Sequence, residues 1–432
     1  MKIKIIGAGL SGVLTAYHLL KCIPKDNKNI QIEINDKCCE FKENASTLSL
    51  AWLNAAYPSY DENEHDRSQY DRYRLEALRS WPSLLDDLKH DGIDGVLESD
   101  LEQSIHSLYV FFNQQQENEF IQMSSRLKQY DDHYQASFVP NKDLAKDFTF
   151  IDALPKDIRI FNMANERLIN PRALISQLIT FLKNSGVLFS WETSVTSEMI
   201  LSEPYTHWII AAGDGCLPLL NYTKFKDVAF RKQSVAEVIH CDLSSPLNLK
   251  RKVFHFETTN STPGFHLRND DNNINRLKII IDYDRNNKDS LNAKALSIFQ
   301  LLHIQVSQYD CLNTMVRPMT YDGRPLVETE LGDKQNIHLI YGHNLYSNAA
   351  KIYFDFAKNI AFAINSHHEN IFHPVGHTFA LKQFSFANRF KKYSISDKPH
   401  IRNALFFARL FSHHPYDLSK ISLPCVKLNF KG

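Results

Sequence analysis

Residues 2–20 read Lys-Ile-Lys-Ile-Ile-Gly-Ala-Gly-Leu-Ser-Gly-Val-Leu-Thr-Ala-Tyr-His-Leu-Leu. A short β-branched strand runs into a Gly-x-Gly-x-x-Gly turn, and an apolar-periodic helix follows. Strand, turn and helix in that order are the context in which three glycines make a dinucleotide phosphate cradle. Gly7 takes the tight turn, Gly9 lets the backbone approach a pyrophosphate with no Cβ in the way, and Gly12 lets the helix pack closely on its strand. The phosphates then face the positive end of a helix.

Outward from this unit, a second strand is expected over residues 30–34, which alternate Ile-Gln-Ile-Glu-Ile and lead into Asn35-Asp36. An acid at the end of this strand is placed to accept hydrogen bonds from both hydroxyls of an adenosine ribose. Two acids compete for the role. If Ile32 and Ile34 face the core helix, strand alternation turns Glu33 to the other face, so Asp36 is the candidate. A polar, Pro-containing loop over residues 23–28 lengthens the link from helix to strand, and such insertions cost little.

The rest of the nucleotide-binding sheet must come from downstream. Asn170-Pro171 is a helix-start signal, followed by an amphipathic helix over 173–184, a turn at Gly186 and two strands, the second a buried run from Trp208 to Gly213. Residues 337–341 read as another strand and 349–364 as a helix. Between these lie a charged, Gln-rich stretch and, over 226–312, alternating runs such as 253–257 and 277–282 that suit an antiparallel sheet with one covered face. The expected fold is therefore α/β. A discontinuous, Rossmann-like nucleotide domain draws on residues 1–85, 151–225 and 313–365, and a mainly antiparallel substrate domain on 86–150 and 226–312.

A chain of 432 residues exceeds what one core supports, which agrees with two joined domains. Its formal net charge is zero, so nothing attracts it generally to nucleic acid or acidic lipid. After residue 365, however, ten Lys or Arg stand against three Asp or Glu, leaving the remainder mildly acidic. Within this extension residues 403–411 suit a basic, aromatic amphipathic helix, a candidate either for peripheral contact at the inner face of a membrane or for packing on the chain's own acidic body. Seven cysteines, scattered and without paired ligand spacing, point to a reducing, cytoplasmic setting and suggest no metal site. The apolar N-terminus lacks a cleavage site, and no uncharged run is long enough to span a bilayer.

With these pieces in order, the chain resembles the D-amino-acid oxidase and glycine oxidase family of FAD-dependent oxidoreductases over roughly residues 1–365. The marks are Gly7-Ala8-Gly9-Leu10-Ser11-Gly12, Ala45-Ser46-Thr47-Leu48-Ser49, residues 73–85 and residues 209–213. Two are more specific: Val316-Arg317-Pro318-Met319-Thr320-Tyr321-Asp322-Gly323-Arg324-Pro325, similar to the family's Arg-Pro-x-Thr-x-Asp-Gly-x-Pro segment, and the Gly342-His343 turn. The resemblance implies FAD as cofactor and hydride transfer from a carbon bearing an amine to flavin N5, the imine then being hydrolysed. The flavin carries that chemistry, so the protein holds, orients and polarises.

The resemblance also implies roles. Arg317 would bind a substrate carboxylate through its guanidinium fork, the alternative being a structural ion pair with Asp322. Gly7, Gly9, Leu10, Ser11, Gly12 and Asp36 would hold the dinucleotide. Ser46, Thr47 and Ser49 would meet the diphosphate and ribityl chain, or cap the next helix. Val195 would lie beside the adenine or be a plain strand valine, and Gly213 would allow close approach or merely end a strand. Gly342-His343 would set an amide near flavin N1 and O2. There the chain departs from its relatives, continuing Asn344-Leu345-Tyr346-Ser347-Asn348 where they carry another glycine, so Asn348 is expected to take the left-handed position. Tyr109, Phe111, Phe265 and His266 are candidate pocket residues, although 265 and 266 would face opposite ways on a strand. The partner is then a small amine or amino acid. A flavoprotein acting on an aminomethyl-modified tRNA nucleoside, and a non-catalytic FAD-containing binding module, are the alternatives.

Overall fold

The structure is a computed structural model that describes residues 1–23, 30–40, 42–54, 64–96, 105–132, 134, 136–221, 223, 230–250, 252–257, 259, 264–270, 273–282, 290–320, 325–330, 335–342 and 345–368. His343, Tyr321 to Arg324 and everything after His368 lie outside the described residues, as do the basic tail and its expected helix.

The opening unit folds as its sequence directs. Strand Lys2–Ile6 runs into the glycine turn and helix Leu10–Cys22, then returns to strand Gln31–Asn35, which pairs parallel to the first. Strands His207–Ile210 and Asn336–Tyr341 extend the sheet on one side, and Leu188–Ser190 on the other, all parallel. Leu326–Glu330 closes one edge in antiparallel sense. Both faces are covered, so apolar residues of these strands are buried on each side. Ile3, Ile5 and Ile209 pack under the helices Leu10–Cys22, Pro171–Asn184 and Leu345–His368, whereas Ile6, Trp208 and Ile210 pack on the other side against Leu219 and Tyr341. Asn170 caps helix Pro171–Asn184 through the Ala173 amide at 2.9 Å.

The second sheet has nine strands among the described residues. Its strands pair antiparallel except where Val253–Phe256 runs parallel to Ile105–Phe111. One face packs on helix Leu291–Leu302 and the turn Thr149–Ala153, burying Phe254, Phe256, Phe265 and Leu267. The other face looks toward the parallel sheet. Among the described residues no helix is long and apolar enough to cross a membrane.

The boundaries differ from the sequence reading at four places. Strands Trp52–Leu53 and Arg159–Leu168, expected in the nucleotide domain, pair with each other in the second sheet. Strand Val306–Thr320 runs through the expected 312/313 boundary, and helix Glu64–His90 runs past 85. Periodicity identifies a strand but not the sheet it joins, since the partner strands are far away in sequence.

Residues 44–54 cross from one sheet to the other, and buried cations hold their backbone. Arg268 Nη1 donates to the Leu50 carbonyl at 2.7 Å and Lys278 Nζ to that of Ser49 at 3.1 Å. These two side chains are cross-strand neighbours in the second sheet. Arg74, from the long helix, donates to the Asn54 carbonyl at 2.9 Å. Between them Ala51 sits fully buried at φ 49°, a left-handed conformation that costs a residue with a Cβ about 1–2 kcal/mol. The surrounding bonds hold it there. Replacing Arg268 by Met should lower stability by about 3 kcal/mol, because a bond to a charged donor is lost and a buried carbonyl is left without it. Arg276→Met, at a half-exposed ion pair with Asp242, should stay within about 0.5 kcal/mol. Urea denaturation of the two variants checks the contrast.

Candidate functional site

A cavity of about 1150 Å³ joins the carboxyl end of the parallel sheet to the inner face of the second sheet. That slightly exceeds the range of roughly 300–1,000 Å³ common for ligand pockets, and it suits an elongated ligand.

At one end lies the glycine turn. Gly7 adopts φ +105°, and a Cβ there would stand 2.6 Å from the Ala211 carbonyl oxygen. A Cβ on Gly12 would stand 1.8 Å from the Gly7 carbonyl oxygen, so strand and helix can meet only if residue 12 is glycine. At Gly9 the nearest atom is Ser46 Oγ at 3.1 Å, the movable end of a side chain. Leu10 and Ser11 line the cavity beside them, and the Leu10 amide donates to Ser46 Oγ at 3.1 Å. Asp36 also lines it. Its carboxylate accepts from the amides of Ala8 and Cys38, both at 2.8 Å, so it fixes the glycine turn while keeping acceptor capacity on each oxygen. Glu33 stands on the other face, 3.7 Å from Lys4 and accepting from Ser190 at 3.1 Å.

Val195, Gly213, Ser46, Ser49 and Gly342 all line the cavity, Gly213 and Gly342 with positive φ of 58° and 134°. Val195 sits in a loop rather than a strand. Two expected residues fall elsewhere. Thr47 does not line the cavity: Asn44 caps helix Ala45–Leu48, and the Thr47 hydroxyl accepts from the Asn44 amide in a capping box. Asn348 is not left-handed. It lies within helix Leu345–His368, fully buried, with Nδ2 3.3 Å from the Tyr70 hydroxyl. The helix begins early enough to absorb the position where a turn was expected. The backbone of Arg317 pairs with Ser234 in strand Val306–Thr320, and the flanking Val316 and Pro318 line the cavity. The Arg317 side chain and all of His343 lie outside the described residues.

The other end is built on the second sheet. Trp52 Nε1 donates to Glu166 at 2.9 Å, and the Tyr109 hydroxyl lies 3.3 Å from both of its carboxylate oxygens. Glu166 has no solvent exposure. Burial, and then the Glu166 charge, hold the Tyr109 phenol well above its ordinary range, so it stays protonated and donates. The Trp52 and Tyr109 rings lie 5.5 Å apart, with His266 edge-on to Trp52 at 5.7 Å. Tyr109, Phe111 and His266 line the cavity, whereas Phe265 points into the core behind them. Sequence reasoning missed Trp52, His255 and Glu166. The alternation of 253–257 carried a signal for His255, since Phe254 and Phe256 must face the core; a two-residue strand at Trp52 carries none.

Residues 2–351 match the family of FAD-dependent oxidoreductases designated DAO. The chain belongs to this family. Solved structures with the same fold include glycine oxidase from Bacillus cereus ATCC 14579 (14% identity, TM-score 0.61, covering 84% of this chain and 97% of that one). Iminodiacetate oxidase from Chelativorans sp. BNC1 is similar at 13% identity and TM-score 0.59, covering 84% and 95%. L-α-glycerophosphate oxidase from Mycoplasma pneumoniae matches at 13% identity and TM-score 0.58, covering 83% and 94%. No curated protein matches the chain.

FAD is the cofactor of the family, and the cavity fits it: the glycine cradle excludes any Cβ at Gly7 and Gly12, and the space continues past it to the second sheet. Gly12→Ala should therefore abolish flavin retention, and Gly9→Ala should weaken it by about tenfold or more, roughly 1.4 kcal/mol, since a Cβ there would meet both the Ser46 hydroxyl and the approaching pyrophosphate. Visible absorbance of the two proteins after reconstitution with FAD checks this.

Proposed function

We propose that this FAD-dependent oxidoreductase oxidises the carbon–nitrogen bond of an amine or amino acid, releasing an imine that hydrolyses in water. One observation carries the reading: a single cavity links the dinucleotide cradle to a wall of Trp52 and Tyr109 backed by the buried carboxylate of Glu166. Aromatic faces suit a cationic ammonium group better than a neutral alcohol. Glycine oxidase and iminodiacetate oxidase among the solved neighbours fit that preference, whereas the glycerophosphate oxidase marks the competing class.

Bound FAD supplies the acceptor for the hydride that leaves the carbon bearing nitrogen. The chain's own residues do the rest. Gly7, Gly9, Leu10, Ser11 and Gly12 would hold the pyrophosphate against the start of helix Leu10–Cys22, with Asp36 toward the ribose. Ser46 and Ser49 would meet the diphosphate and ribityl chain, Val195 the adenine, and Gly213 and Gly342 would let backbone approach the ring system. Arg317 would bind a substrate carboxylate and orient the reacting carbon.

Anaerobic titration with D- and L-amino acids, glycine and sarcosine should bleach the flavin with at least one of them. Bleaching by glycerol phosphate or a hydroxy acid alone would overturn the amine assignment. For a bleaching amino acid, Arg317→Lys should lower kcat/KM about 10- to 100-fold, since a bidentate charged contact contributes roughly 1.5–3 kcal/mol. An amine without a carboxylate should be unaffected.

A further inference from the structure

We propose that Arg126 binds a second acidic group of the substrate, which makes the preferred substrate an amino dicarboxylic acid. The assignment rests on the amine reading above and narrows its substrate class.

Helix Gln114–Lys128 forms one wall of the cavity. Asn113 starts it by accepting from the Gln116 amide at 3.0 Å. Gln116, Glu119, Phe120, Met123 and Arg126, which recur three and four residues apart, then share the helix face that lines the cavity. Phe120 fixes where that face stands. Its ring lies 4.5 Å from that of Tyr109 and 5.0 Å from that of Phe111, so the helix packs on the strand that carries part of the aromatic wall. Arg126 comes six residues later on the same helix, about 9 Å along its axis. An amine seated at Trp52 and Tyr109 leaves the rest of its molecule to run past Met123 toward the Arg126 guanidinium.

The protein itself makes little use of that guanidinium. Its Nε is shut off from solvent and makes no hydrogen bond, and its nearest carboxylate among the described residues, Asp71, stands 3.7 Å away, beyond hydrogen-bond reach. Asp71, buried on helix Glu64–His90, thus holds the guanidinium by charge without closing a hydrogen bond to it. The Arg126 side chain as a whole is 29% exposed and lines the cavity. Other acids at this end of the cavity are engaged elsewhere. Glu166 accepts from Trp52 and Tyr109, Glu257 lies 2.9 Å from His255, and Glu119 accepts from Gln115 at 3.1 Å.

A guanidinium presents five N–H donors in a planar fork that matches a carboxylate bidentately. One that is already partly stripped of water gains more from such a partner than a fully solvated Arg does. A neutral side chain on the substrate offers that fork no charge to meet. With the first carboxylate at Arg317, as proposed above, and the second at Arg126, both ends of the molecule would be fixed and the reacting carbon held between them.

The test uses the FAD-loaded enzyme. In anaerobic bleaching, aspartate, glutamate (either hand) or iminodiacetate should show kcat/KM about tenfold or more above the matched compound without the second charge, namely asparagine, glutamine or sarcosine. Arg126→Gln should lower kcat/KM for the dicarboxylate about 10- to 100-fold, the usual worth of a bidentate charged contact, and leave the matched compound within about twofold. Arg126→Lys, which keeps the charge but not the fork, should fall between. A merely structural role would lower both members of a pair together and leave their ratio unmoved, and that result would overturn the assignment. So would a wild-type enzyme with no preference for the dicarboxylate. Binding gives a readout independent of turnover. Succinate, a dicarboxylate without an amine, should perturb the flavin absorbance of the wild-type protein, with a Kd that rises about tenfold or more in Arg126→Gln while that of propionate does not; an unchanged succinate Kd would also overturn the assignment. If no amine bleaches the wild-type protein yet succinate binding depends on Arg126, the amine reading falls and the acidic subsite stands.

Discussion

The structure depends on how the backbone of residues 44–54 is held as it crosses between the two sheets. Its carbonyls accept from three buried cations, Arg74, Arg268 and Lys278, contributed by the long helix and by two neighbouring strands. A buried cation demands acceptors, and a chain segment in irregular conformation has carbonyls to offer; each satisfies the other. The same segment carries Ser46 to the glycine turn at one end and Trp52 to Glu166 at the other. Both ends of the cavity are thus set by one stretch of backbone, and the strain at Ala51 is tolerated because that stretch is fixed on both sides.

Second-sheet alternation then divides labour by face. Phenylalanines fill the core side, and histidines, a tyrosine and carboxylates occupy the cavity side. A sheet with one dry face and one lined by polar groups is suited to a binding wall, since the rigid ladder positions the side chains without needing loops. Trp52 and Tyr109 both direct donors at the fully buried Glu166 carboxylate, which ties the cavity wall to the sheet behind it.

The first 36 residues were legible because their physics is local. A strand, three glycines and an amphipathic helix specify one another within a short span, and the clash distances at Gly7 and Gly12 are the tertiary expression of that pattern. That Asp36 and not Glu33 would reach the cavity was legible too, since alternation separates them. Less was readable at residues 45–49, where hydroxyls suit either a cap or a ligand: Asn44 and Thr47 take the cap, and Ser46 and Ser49 line the cavity. The turn expected at Asn348 became helix, because helix Leu345–His368 starts before it and buries the amide against Tyr70.

By itself, the sequence determined the strand–glycine–helix unit at the start of the chain and the mixed α/β class with a parallel and a mainly antiparallel sheet, both of which follow from local periodicity and spacing. Only the tertiary structure decided which sheet claims strands Trp52–Leu53 and Arg159–Leu168, where the buried cations anchor, and that His255 meets His266 across a strand pair. Those outcomes are set by pairing between residues distant in the chain, and neither propensity nor alternation within a segment carries information about its partner.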